Sequence, residues 1–148
     1  MKTAICTIAG ITGSLVASLF GGWTTSLTTL LIFMGIDYVT GMIVAGVFHH
    51  SPKSETGALE SRAGFKGLCK KGMILLLVLV AHRLDMATGS NYIRDALCIA
   101  FIVNEAISIV ENAVLMDLPI PKILTKGIEM LKEKTMEGDE DESERFSS

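Results

Sequence analysis

Apolar residues in this chain come in long blocks separated by short polar breaks, and the blocks predict helices. The first block, Thr3 to Phe20, places small residues every four positions, at Ala9, Gly13 and Ala17 and again at Gly10, Ser14 and Ser18. Rows of this kind let helix backbones approach closely inside a bilayer. Gly21-Gly22 breaks the helix, and Trp23 follows, a residue suited to the membrane interface because its apolar body carries one polar N–H. A second block runs from about Thr24 to Phe48, with Asp37 near its middle as its only ionisable residue before the histidines.

Loop signals come next, at Ser51-Pro52, Ser54 and Gly57 between His49 and Phe65,. A third segment passes Lys66, Lys70 and Lys71, is apolar from Met73 to Ala81, and ends at His82-Arg83-Leu84-Asp85. Its apolar centre is short, so its flanking bases are expected to snorkel to the interfaces. After a turn at Gly89-Ser90-Asn91, a fourth block runs from Tyr92 to Met116. It carries one polar stripe: Asn104, Glu105, Ser108, Glu111 and Asn112 stand at offsets that share a helix face,. Pro119 and Pro121 end it and open an amphipathic helix to Leu131, in which Ile120, Ile123, Leu124, Ile128 and Leu131 oppose Lys122, Lys126, Glu129 and Lys132,.

The pattern divides the chain into a transmembrane part over residues 1–118, an amphipathic interfacial helix over 119–136 and an acidic tail over 137–148, expected to be disordered,. The fold class expected is all-α: a membrane bundle of three to four spanning helices with that helix and tail appended. From Thr3 to Ile36 there are 34 residues without Asp, Glu, Lys or Arg, where about 20 apolar residues cross a bilayer. Lys2 ahead of an apolar run could open a cleaved signal peptide. A single leading charge, and apolar character continuing to Ile36, favour a retained segment.

Charge sharpens this picture. The net charge of −3 is misleading, since residues 137–148 hold six acids and one base, leaving the body at +2. With four spans, Lys2, Lys53, Arg62, Lys66, Lys70, Lys71, Lys122, Lys126, Lys132 and Lys134 share one side, against Arg83 and Arg94 on the other. Bases favour the cytoplasm, so both termini are expected inside, the C-terminus even if the first block does not cross. No basic face interleaved with aromatics points to nucleic acid. Cys6, Cys69 and Cys98 match no disulfide or zinc spacing and read as buried or membrane-embedded free thiols.

Catalytic signatures fail on inspection. Gly67 and Gly72 have phosphate-loop spacing, but Met73 stands where lysine is needed,. His49-His50 reads as a loop, and His82 as part of an interfacial polar cluster. No enzyme activity, cofactor or metal is expected. Asp37, Glu105 and Glu111 are the informative residues, because an ionised carboxylate at membrane depth costs at least about 2.5–3.5 kcal/mol. With Asn104, Ser108 and Asn112 they either bond helices together or line an aqueous path.

Five blocks then resemble a known family. Leu31-Ile32-Phe33-Met34-Gly35-Ile36-Asp37-Tyr38-Val39-Thr40-Gly41, Gly64-Phe65-Lys66-Gly67-Leu68-Cys69-Lys70-Lys71 and Ala81-His82-Arg83-Leu84-Asp85 come in order. The segment from Asn104 to Ala113 is similar to an Asn-Glu-x-x-Ser-x-x-Glu-Asn signature, and Pro119-Ile120-Pro121 follows. Together they resemble the toxin-secretion/phage-lysis holins over roughly Gly10 to Leu131. Asp117, where the family usually has Gly, and Glu60, where Ser is common, are departures. The resemblance implies a homo-oligomer that accumulates in the bacterial cytoplasmic membrane and then opens it, releasing a cell-wall hydrolase (endolysin) or toxin. The alternatives are a small channel or transporter component, and an antiholin or adaptor that restrains a partner.

Overall fold

The computed structural model describes residues 1–50, 52 and 61–146, with side chains up to residue 134. The loop signals at Ser51, Ser54 and Gly57, and the base Lys53, lie outside the described residues. Five α-helices follow one another: α1 (Lys2–Leu19), α2 (Thr25–Ile43), α3 (Ser61–Thr88), α4 (Ile93–Leu115) and α5 (Lys122–Phe146). A π-helical turn, Val44–Phe48, extends α2. Among the described residues there is no strand.

Three helices are long and apolar enough to cross a membrane: α1, α2 with its π turn, and α4. Many of their outward residues are apolar, including Ile8 and Leu15 on α1, Ile32 and Val39 on α2, and Val114 on α4. The third segment falls short on composition, yet α3 runs 28 residues, about 42 Å at 1.5 Å per residue. It exposes Leu76, Leu77, Val80 and Leu84.

Each bundle helix contributes one seam of residues spaced three and four apart. On α2 the seam holds Leu27, Leu30, Met34 and Asp37, and reaches Val44. On α3 it holds Lys71, Ile74, Val78, Ala81 and Asp85, and on α4 Cys98, Ile102, Glu105 and Asn112. Such spacing keeps one stripe turned toward neighbouring helices. The apolar members form the core, in which Leu30, Val78 and Cys98 are fully buried. Polar residues occupy the remaining seam places.

The helices alternate in direction, as bonds at the two ends require. At one end Arg94 Nη1 donates to Phe20 O (2.8 Å), and Ser26 Oγ donates to Asp95 Oδ1 (3.0 Å). These bonds join the α1–α2 turn to the start of α4. At the other end His50 Nδ1 lies 3.4 Å from Leu115 O. The α1–α2 turn needs its glycines: Gly21 and Gly22 have φ of 78° and 94°, in the left-handed region that side chains disfavour. Gly22 N–H closes α1 by donating to Ala17 O at 2.8 Å, and Thr24 opens α2 by accepting from Leu27 N–H,.

The last helix, α5, continues into the acidic stretch as far as Phe146. From Met130 onward that stretch has no proline and one glycine and is rich in Glu and Lys, which favour helix even where no apolar face exists. The sequence leaves the amphipathic helix on a membrane surface or packed under the bundle, and α5 meets the bundle, with Leu131 packed against the core. Of the thiols, only Cys98 is buried, while Cys6 and Cys69 are exposed on their helices.

Candidate functional site

Asp37 lies 12 residues after Thr25 and 11 before Phe48, at the middle of the α2 span. Its position continues the seam of Leu27, Leu30 and Met34, so the helix period turns its carboxylate inward, where it is buried,. Glu105 and Asn112 occupy equivalent places on α4 and are buried as well. Lys71, on α3, completes the layer. Its ammonium donates to Asp37 Oδ2 at 2.8 Å and also to Glu105 Oε2. One cation thus serves two carboxylates.

Asn112 fixes the other oxygen of Asp37. Its Nδ2 donates to Asp37 Oδ1 at 3.1 Å and to Thr40 Oγ1 at 2.9 Å. Among the described residues no buried side-chain nitrogen or oxygen lacks a partner. That matters in a span, where lipid supplies no hydrogen bonds and each unsatisfied polar group costs several kcal/mol. The layer ties α2, α3 and α4 together at mid-depth.

The stripe read from the sequence as one face divides in two. At about 100° per residue, positions 105 and 112 lie within about 20° of each other, as do 104 and 111, with about 100° between the pairs. Glu105 and Asn112 therefore point inward, while Asn104 and Glu111 are exposed. Ser108 falls between and is half-buried. Asp37, Glu105, Asn104 and Ser108 line a common cavity of about 410 Å³ with Lys66, Lys70 and Lys71. Glu111 belongs neither to the layer nor to that cavity.

Lys71 is the residue that sequence reading misplaced, as an interfacial base. Spacing held the signal for it: Lys71, Ile74, Val78, Ala81 and Asp85 repeat every three or four residues, the same repeat that carries Asp37 on α2. A carboxylate at mid-membrane requires a partner, and the apolar-centred segment with inward spacing carries one.

A second polar cluster sits at the end of the bundle near the α1–α2 turn. Asp85, buried and beyond the apolar stretch of α3, accepts from Ile93 N–H (3.0 Å), Arg94 N–H (2.9 Å) and Ser90 Oγ (2.6 Å). It caps α4 from a neighbouring helix, satisfying amides that the first turn leaves free. Burial pushes the Asp85 carboxyl up, but the bonds from Ser90, Arg94, Ile93 and Tyr92 outweigh it and hold the group below its ordinary value,.

Comparison with known proteins adds what geometry cannot. The model of the bacteriophage holin family matches residues 14–133. An uncharacterized protein of Listeria innocua is 37% identical over 131 residues, covering 88% of this chain and 86% of that protein. An uncharacterized 14.9 kDa protein of Clostridium perfringens is 36% identical over 124 residues, 82% of this chain and 88% of its own. A protein of Bacillus phage phi105 named as a probable holin is 29% identical over 107 residues, 72% of this chain and 73% of its own. No solved structure matches. Spanning helices with inward polar seams, and a family model covering most of their length, agree: the chain is a multi-pass membrane protein of the bacteriophage holin family.

Proposed function

We propose that this chain oligomerises in the bacterial cytoplasmic membrane and opens lesions through which a cell-wall hydrolase or toxin leaves the cell. The observation that carries the reading is the polar layer of Asp37, Lys71, Glu105 and Asn112, closed inside α2, α3 and α4 at mid-depth. Within one subunit Asp37, Glu105 and Asn112 of this layer are buried. If the helices part, these groups cannot face hydrocarbon without a large penalty, so they would have to face water or another subunit. The same residues then serve first as closure and later as lining.

Assembly in this reading uses α1, whose small-residue rows are open at Gly10 and Gly13: a methyl added at either would meet nothing within 4 Å beyond its chain neighbours and the helix's own backbone. The ends of the helices sort the bases, with Lys2, Arg62, Lys66, Lys122 and Lys126 toward the end marked by His50 and Leu115. By the charge rule that end faces the cytoplasm, which puts the C-terminus inside and the start of α5 at the interface.

The test is induction in bacteria with and without a wall hydrolase that lacks an export signal, at verified membrane expression. The expected course is a delay, then abrupt loss of membrane potential, with rapid lysis only when the hydrolase is present. Ion-selective conductance without hydrolase escape would replace the lesion with a channel. Intact potential, with delayed lysis on co-expression with a holin, would make this chain a restraining partner.

A further inference from the structure

Lys71 is spent on Asp37 and Glu105, but the cavity beside this triad is lined by more cations than the triad uses. Lys66 and Lys70 also line it, from α3, and Asn104 and Ser108 line it from α4. Both pairs are spaced i, i+4, so each presents two side chains on one helix face. The cavity thus has two ammonium groups contributed by one helix, and an amide and a hydroxyl contributed by another. Among the described residues, no hydrogen bond or salt bridge occupies any of these four side chains. Lys66, Lys70 and Asn104 are exposed, so the cavity is open to the surroundings of the bundle.

Charge decides what such a cavity takes. The triad carries two carboxylates and one ammonium, and the two further lysines bring the lining to a net +1. An anion held by Lys66 and Lys70 would have the Asn104 amide and the Ser108 hydroxyl as further donors. Depth decides its source. Lys66 lies five residues from Lys71, about 7.5 Å along α3 toward the basic end of the bundle. A lysine stem extends its ammonium further in that direction. The cavity therefore reaches from mid-membrane toward the headgroup layer, and at about 410 Å³ it falls in the range of small-molecule sites, roughly 300–1,000 Å³.

We propose that this cavity is a binding site for the phosphodiester headgroup of an anionic phospholipid, held by Lys66 and Lys70 with Asn104 and Ser108 as hydrogen-bond donors. Basic pockets between membrane helices suit such headgroups. The site is independent of lesion formation, since it requires only the closed α2–α3–α4 bundle. A bound headgroup would brace α3 against α4 beside the triad.

The full-length protein in nanodiscs of phosphatidylcholine with increasing phosphatidylglycerol tests this, read by native mass spectrometry of retained lipid and by melting midpoint. Phosphatidylglycerol should be retained about tenfold or more over phosphatidylcholine and should raise the midpoint. K66Q/K70Q should weaken retention roughly twenty-five-fold, from about fivefold per lysine, while K66R/K70R keeps it. K122Q/K126Q removes the same charge from α5 and should leave retention unchanged. Equal retention of the two lipids overturns the proposal. So does an equal loss in both glutamine variants, which would mean diffuse surface attraction. Inorganic phosphate alone reproducing the full midpoint shift would make the cavity a free-anion site and overturn the lipid assignment. A K66Q/K70Q protein with altered helicity would be judged by the arginine pair, whose failure to retain lipid with helicity intact overturns the proposal equally.

Discussion

Lys71 Nζ lies 2.8 Å from Asp37 Oδ2, across 34 residues of sequence and between two helices that meet nowhere else through a salt bridge among the described residues. The same ammonium reaches Glu105 on a third helix. Taking charges out of water is costly, and Coulomb attraction offsets it only with good geometry and completed hydrogen bonds. Here Asn112 supplies a further bond. The triad's value is thus asymmetric: little is gained over an apolar layer, but much is lost when one member goes.

Lys71→Met should therefore destabilise the bundle by about 3–5 kcal/mol, because two carboxylates remain buried around an apolar side chain. Lys71→Met combined with Asp37→Asn and Glu105→Gln should recover much of that loss. Denaturation in detergent micelles followed by circular dichroism measures both. A single variant as stable as the parent would mean that the carboxylates find water or protons at little cost.

Adjacent residues on α4 should behave oppositely. Asn112→Leu keeps the branching at Cγ, with a bulkier end, but removes the donor to Asp37 and Thr40, with an expected loss of about 1–3 kcal/mol. Glu111→Gln, on the exposed side, should stay within about 0.5 kcal/mol. Similar effects from the two would contradict the division of the stripe.

The cap at α4 predicts a pH response. The Asp85 carboxyl is held below its ordinary value of 3.8, so its stabilisation is present above that value and is lost as pH falls through the lower, folded-state one. Thermal midpoints should show no pH dependence from Asp85 between pH 7 and 5, where its stabilisation is fully present, and a fall at more acid pH that Asp85→Asn diminishes,. At neutral pH Asp85→Ala should cost about 0.5–2 kcal/mol, as other cap losses do.

Gly21→Ala should cost about 1–2 kcal/mol from the left-handed backbone alone. A methyl there would also meet the His82 ring at 2.3 Å, so His82 and Arg94 would have to move. Gly10→Ala, in a helix with open space around it, should leave the midpoint unchanged or raised. Comparing the two melts separates a glycine the turn requires from one the fold does not.

Much of this was legible in the sequence, for identifiable reasons. Uninterrupted apolar runs reported α1, α2 and α4, since bilayer length is a strong constraint on composition. Gly21-Gly22 and Pro119-Pro121 marked turns because few other residues allow them. Asp37, Glu105 and Asn112 stood out as polar residues in apolar surroundings. Pairing was harder to read: Lys71 sits among other lysines, and only its register with Ile74, Val78 and Ala81 separates it from Lys70. The rotation of about 100° between Asn104 and Glu105 is set by the helix, but which of the two turns inward depends on where the neighbouring helices pack. The course of α5 depended on where Leu131 found an apolar surface.

α1 buries one residue, Ala17, whereas α2, α3 and α4 share seams, a salt-bridged layer and a cross-helix cap. Holding a fold together and choosing neighbours usually compete for one apolar surface, so that changing either disturbs both. In the assembly proposed above, the two are partitioned along this chain. Whatever α1 meets in the bilayer, it meets with a surface the remaining helices do not need. Substitutions there are free to vary affinity for a neighbour in small steps, with no toll on the three-helix block. An α1 segment taken from a relative could be grafted ahead of Gly21 and change the company the protein keeps, while the block behind it folded as before.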